Sequence, residues 1–234
     1  MNKLLAGGGI LAGLMALSVA VPAFAATSLG TNWRVFNVMP ATAMFWDINP
    51  VKSTTSSGLT FPIQRFDTTT NGSFAVYLLN NYNVDMTGKT ITASNMSWDT
   101  GSYSTRGAVS SGAYVRLEFQ DTTSGPYDSN DYWWSTGANS LDMNVVPGGT
   151  LSISLTDCTL WSNQSGKSAC NTTQDWQQWQ GDIVHMSPAD GFAKAVKNVK
   201  QVGLSFGNAS SYASGVARDG GAGTFTLESF TITP

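Results

Sequence analysis

From Thr31 onward, apolar and polar residues alternate with a period of two, in short runs that end at turn residues. The pattern predicts strands over 32–39, 58–67, 73–82, 89–98, 113–121, 131–136, 140–146, 150–157, 200–207 and 223–232. Asn71-Gly72, Thr87-Gly88, Ser111-Gly112, Ser124-Gly125-Pro126 and Pro147-Gly148-Gly149 supply the turns between them. One stretch has a helical period instead. In ADGFAKAVKNVKQV, Phe192, Ala195, Val196 and Val199 fall at i, i+3, i+4 and i+7. This predicts one short helix near residues 190–199, with Asp190 as its N-cap. About ten strands, one helix, no internal repeat and no long linker define an all-β class. The expected architecture is a single antiparallel β-sandwich over residues 26–234.

Alternation also sorts faces. In AYVRLEFQ, Val115, Leu117 and Phe119 form the core side, opposite Tyr114, Arg116, Glu118 and Gln120. An aromatic ring, a cation, an anion and an amide on one side suit either a solvent-facing surface or a polar ligand platform. In TLSISLTD, Leu151, Ile153 and Leu155 point inward, and Ser152, Ser154 and Thr156 make a bland outer face. The run NDYWWST poses a sharper problem, because Trp133 and Trp134 are neighbours and must face opposite ways. Tyr132, Trp134 and Thr136 form the more apolar set. Trp134 is therefore expected in the core, and Trp133 outward beside Asp131.

The first 25 residues change the compartment. Lys3, a long uncharged apolar run and Ala23-Phe24-Ala25 read as a signal peptide cut before Ala26; the competing reading is an N-terminal membrane anchor. After removal no stable membrane span is expected, and the protein is expected to be secreted, in the periplasm or outside the cell. The remaining chain has 11 basic and 15 acidic side chains. Its only basic cluster, Lys194, Lys197 and Lys200, reads as one helix face, so no nucleic-acid partner is expected. Scarce charge and abundant Ser, Thr, Asn and Gly suit an extracellular β protein. Cys158 and Cys170 form an even pair in an oxidising compartment and predict one disulfide. The sequons at Asn71, Asn95, Asn163, Asn171 and Asn208 are as many as chance supplies in so Asn-, Ser- and Thr-rich a chain.

Candidate chemistry is thin. His185, the single histidine, has no nucleophile motif beside it, and no local motif selects a pair among the carboxylates. PYDSNDYW places Asp128, Asn130 and Asp131 in a turn where oxygens converge, either on calcium or as Asx-turn groups that cap a strand. Trp161, Trp176 and Trp179 lie in or beside the disulfide loop among Asn and Gln residues. In DWQQWQ, read as a loop or short helical turn, the spacing of three sets Trp176 and Trp179 on one side. These rings either bind a ligand or pin the loop to the sandwich.

The strings TGKTITASNMSW and AYVRLEFQD, then GGTLSISLTD, NVKQVGLSFG and GTFTLESFTI, follow one another from Thr87 to Pro234. In that order they resemble the carbohydrate-binding modules of the galactose-binding-like jelly-roll type. The resemblance implies a jelly-roll sandwich, glycan binding through aromatic side chains, and a structural calcium near the terminal strand. Glu228 stands where such modules usually carry Asp. The expected ligand-binding set is Trp133, Asp131, Tyr114, Arg116, Glu118, Trp161, Trp176 and Trp179, with a glycan or cell-surface polysaccharide as partner. The expected calcium set is Asp128, Asn130, Asp131 and Glu228. A non-catalytic carbohydrate-binding protein is the leading reading. A structural or adhesive surface protein without sugar ligand and a small secreted glycoside hydrolase are its alternatives.

Overall fold

Val115, Leu117 and Phe119 are fully buried, as their alternation requires, and the strand that carries them lies near the middle of the larger of two main sheets. The computed structural model describes residues 33–38, 45–48, 52–54, 58–65, 74–106, 112–123, 128–179, 182–209 and 212–234. Side chains are described for all of these except 45–48, 52–54, 175–179 and 182–185. The expected signal peptide, 1–25, lies outside the described residues.

Among the described residues, seventeen strands and one α-helix follow in order. The first six strands are β1 Trp33–Val38, β2 Phe45–Ile48, β3 Lys52–Thr54, β4 Gly58–Ile63, β5 Phe74–Val84 and β6 Thr90–Trp98. Next come β7 Tyr103–Thr105, β8 Tyr114–Gln120, β9 Tyr132–Ser135, β10 Ser140–Asp142, β11 Gly148–Ser154 and β12 Trp161–Asn163. The chain closes with β13 Asp175–Trp179, β14 Asp182–Met186, α1 Pro188–Val196, β15 Val199–Gly207, β16 Val216–Arg218 and β17 Gly223–Thr233.

The large sheet runs β12-β9-β8-β15-β5-β1-β2, with β10 on β8 and β16 bridging β5 and β7. The second sheet runs β11-β6-β17-β4-β3, and every strand pairing in either sheet is antiparallel. One continuous core lies between them, drawing Leu117, Phe119 and Phe206 from the large sheet and Ile91, Leu151 and Phe225 from the smaller. The protein is an all-β sandwich with one short helix. On the outer side of the smaller sheet, Thr92 and Ser152 share a hydroxyl hydrogen bond at 2.8 Å, the bland face that alternation predicts.

The helix starts earlier than its apolar period predicts. Ser187, not Asp190, is the N-cap: its Oγ accepts from the Asp190 backbone N–H at 3.1 Å and donates to the Asp190 carboxylate at 2.7 Å. Pro188 occupies the first turn, where its missing N–H does no harm. The apolar stripe locates the buried face, whereas the cap sits one turn ahead of it. Phe192 inserts into the core edge-on to Trp133 at 5.0 Å and Phe119 at 5.7 Å.

Cys158 and Cys170 are joined, as predicted. Their loop carries β12 and folds back over it: Asn163 donates to the Lys167 carbonyl and Ala169 to the Trp161 carbonyl, each at 2.9 Å. Closing a loop of this size stabilises by about 3 kcal/mol in the chain-entropy model. Reduction should therefore lower the denaturant midpoint by that equivalent, read by fluorescence with and without reductant. An unchanged midpoint would show that packing of Trp161 alone holds the loop.

Candidate functional site

Strand β8 turns Tyr114, Arg116, Glu118 and Gln120 to the side away from the core, but that side is not simply wet. Arg116 and Glu118 are 0% exposed. Register shows what surrounds them. Glu118 lies opposite Trp134 of β9 on one flank and opposite Gly203 of β15 on the other. Arg116 lies opposite Ser205, which lies opposite Tyr77 of β5. Directly opposed residues share a face, so Tyr77, Tyr132, Trp134, Gln201 and Ser205 join the β8 set. Three strand spacings make this face roughly 14 Å across.

Its floor is polar and its rim aromatic. The Arg116 guanidinium sits between two rings, 5.0 Å from the centroid of Tyr114 and 4.4 Å from that of Tyr212. Tyr212 comes from the turn after β15, tied down where Ser205 Oγ donates to the Tyr212 carbonyl at 2.6 Å. Trp134 stacks on Tyr132 at 6.0 Å and meets Tyr212 edge-on at 5.8 Å. Tyr77, Tyr114, Tyr132 and Tyr212 are all partly exposed. At one end an amide chain crosses three strands: Gln120 donates to Gln201, which donates to Asn81 at 2.8 Å.

Several floor atoms are buried without partners. All three guanidinium nitrogens of Arg116, both Glu118 carboxyl oxygens and the Trp134 indole nitrogen make no hydrogen bond within the protein. Such atoms are rare in folded chains, and each orphaned group costs about 1–3 kcal/mol. Burial raises the Glu118 pKa well above the ordinary carboxylate range, so it holds its proton. Burial also pulls Arg116 down to about 10, with Tyr212 and Tyr114 opposing the fall, and it remains a cation at neutral pH.

The tryptophan assignment is reversed. Trp133 is 0% exposed and faces the core, because it lies opposite Phe119. Its indole N–H donates to the Asn130 carbonyl at 2.6 Å. Trp134 takes the outward face beside Glu118, outside the main core cluster, though it too is buried, at 2% exposed. Trp161, also expected as a binding ring, is another core residue: it packs edge-on to Phe119 at 5.2 Å and donates to the Ser154 carbonyl at 2.8 Å. Trp176 and Trp179 lie on β13, whose backbone is extended and paired with β14, so the helical-turn spacing argument does not apply. Their side chains, and that of His185, lie outside the described residues.

The expected calcium set does not come together. Asp128 Oδ1 accepts from the Asn130 N–H and Asp131 Oδ2 from the Asp128 N–H, each at 2.6 Å. Asn130 Oδ1 accepts from Asn163 Nδ2 at 2.8 Å. This is the Asx-turn arrangement. Glu228 stands exposed on the other sheet, accepting from Asn95 Nδ2 at 2.9 Å. Among the described residues, no group of three or more His, Cys, Asp or Glu side chains is arranged to hold a metal ion. Asp131 instead lies beside Asp121, which meets Lys194 of α1 at 3.6 Å. Burial raises both carboxyls, Asp131 to about 6.

Tyr114, Arg116 and Glu118 stand together as the sequence suggests. Tyr77, Trp134, Gln201, Ser205 and Tyr212 are additional. The alternation in KQVGLSFG carried the signal for two of them, since Gln201, Gly203 and Ser205 oppose Val202, Leu204 and Phe206. Tyr212 had no such signal, because a turn brings it over the sheet. Comparison of the chain with protein-family models, with curated proteins and with solved structures finds no match.

Proposed function

We propose that this is a secreted carbohydrate-binding protein that holds a glycan on the outward face of its large sheet without transforming it. The observation that carries this reading is the combination on one face of a partly exposed tyrosine rim and a buried polar floor with unpartnered groups. Sugar rings present C–H faces that lie on aromatic rings, and their hydroxyls need partners such as Arg116, Glu118 and the Gln120–Gln201–Asn81 amides. The disulfide supports an oxidising compartment. A binding role is favoured over hydrolysis because the residues that strand and register set beside Glu118 on this face, Arg116, Gln120, Trp134 and Gly203, include no second carboxylate. Glycoside hydrolysis ordinarily works with two carboxyl groups across the scissile bond.

A glycan array with the purified protein, run with calcium and with chelator, tests the proposal. Binding is expected in both conditions, and Tyr132→Ala should weaken it about tenfold, the scale of one lost aromatic contact. If no glycan binds and intrinsic tryptophan fluorescence ignores every sugar, the proposal fails.

A further inference from the structure

Most of the unpartnered atoms on this face are hydrogen-bond donors. The three guanidinium nitrogens of Arg116 and the Trp134 indole nitrogen can only donate hydrogen bonds. Glu118, protonated in its buried setting, adds one acid O–H donor and one acceptor oxygen. The acceptors that β15 sets opposite β8 are absent or engaged. Ser205, opposite it, holds the Tyr212 carbonyl, and the Gln201 amide oxygen takes Gln120. Position 203, opposite Glu118 on β15, has no side chain, and a Cβ there would stand 1.9 Å from the Leu78 carbonyl oxygen. The result, among the described residues, is a buried cation with two aromatic neighbours and no hydrogen-bonded anion.

A buried charge without a counter-charge is among the least tolerated arrangements in a folded chain. The missing group must accept several hydrogen bonds, carry negative charge and be planar enough to meet a guanidinium fork. A carboxylate does all three. We infer that the glycan bound by this face is an acidic one, and that a uronic-acid carboxylate seats on Arg116 and the Trp134 N–H while the sugar ring lies against the tyrosine rim. This rests on the glycan-binding reading above and adds the ligand's charge to it. Arg116 is 0% exposed beneath the Tyr212 ring, so entry of a carboxylate requires that ring to turn aside.

The test varies the ligand as well as the protein. Uronic-acid oligosaccharides of galacturonate, glucuronate and mannuronate type are titrated calorimetrically, each beside its own methyl ester. A sulfated galactan is run in parallel. The methyl ester keeps the ring, removes the charge and adds one methyl group, and no folding defect can imitate its effect. At least one acidic series should bind, and its ester should bind roughly thirtyfold or more weakly, the scale of losing one partner of a buried charge pair. Arg116→Met, with its fold checked by near-ultraviolet circular dichroism, should lose the distinction between acid and ester.

Equal binding of acid and ester overturns the inference and leaves the glycan reading standing. Sulfated galactan binding as tightly as the best uronate overturns the carboxylate assignment. Silence toward every glycan, charged or neutral, overturns both.

Discussion

Replacing Trp133 with alanine should lower the melting temperature by roughly 10 °C or more, and by more than the same change at Trp134, which is also buried but lies on the outward face and should weaken ligand binding as well. Trp133 lies in the core between β8 and α1, edge-on to Phe192 at 5.0 Å, with its N–H satisfied by the Asn130 carbonyl. Truncating a buried tryptophan to alanine costs about 3–5 kcal/mol, because the cavity left behind collapses only in part. In a chain of this size each kcal/mol is worth about 2–4 °C. The effect should spread to the helix, since Phe192 loses the ring it packs against and Lys194 carries the contact to Asp121. Trp134 has an unpartnered N–H and neighbours Glu118 and Tyr132 on the outward face. Calorimetric melting of the two variants side by side decides the matter. If Trp134→Ala melts lower than Trp133→Ala, the two faces have been assigned the wrong way round.

The protein should be more stable at pH 5 than at pH 8. Four carboxyls, Glu118, Asp121, Asp128 and Asp131, have pKa values raised by burial. The groups that face them do not reverse this. Glu118 shares its face with Arg116 on its own strand without a hydrogen bond between them, and its charge would act on Tyr77 of β5, while Asp131 meets Asp121, Asp128 and Lys194. The folded chain therefore holds protons that the unfolded chain has already released. Their contribution is fully present below the unfolded carboxylate range, about pH 4, and is lost as pH rises through the folded values. For Asp131 that loss accumulates from the unfolded range, about pH 4, up to about pH 6, and is complete above it. It amounts to on the order of 2 kcal/mol once solvent screening is allowed for. The melting temperature should fall by roughly 4–8 °C across this window. Asp131→Asn should flatten the lower part of the profile and Glu118→Gln the upper part. A melting temperature that rises from pH 5 to pH 8 would mean that these carboxyls ionise freely in the folded protein.

The sandwich was legible because its long strands alternate cleanly. β6, β8, β11, β15 and β17 all fall where apolar residues recur every second position. The three-residue strands β3, β7, β12 and β16 escaped, since a run that short has no measurable period. The Trp133 and Trp134 faces escaped for a different reason. Apolar content argued for Tyr132–Trp134–Thr136 as the interior set, which assumes that Asp131 and Ser135 resist burial. Here they do not. Ser135 Oγ accepts from the Leu117 N–H at 3.1 Å and donates to the Asn139 carbonyl at 2.8 Å, and Asp131 accepts from the Asp128 N–H. Local partners make polar groups admissible inside, and no count of apolar residues registers such partners. Tyr114, Arg116 and Glu118 were found together because one strand carries all three. The rest of the rim required register across β9, β15 and β5, which alternation within a single strand does not encode.

The back-folded disulfide loop also bears on solubility. β12 is the last strand of the large sheet, and an uncovered last strand is a template for a second molecule to extend. Here the chain's own residues 167–169 occupy the hydrogen-bonding positions that an incoming strand would use, and Cys158–Cys170 holds them there. The covalent link thus guards against self-association: opening it would free both the edge and the strand able to propagate from it.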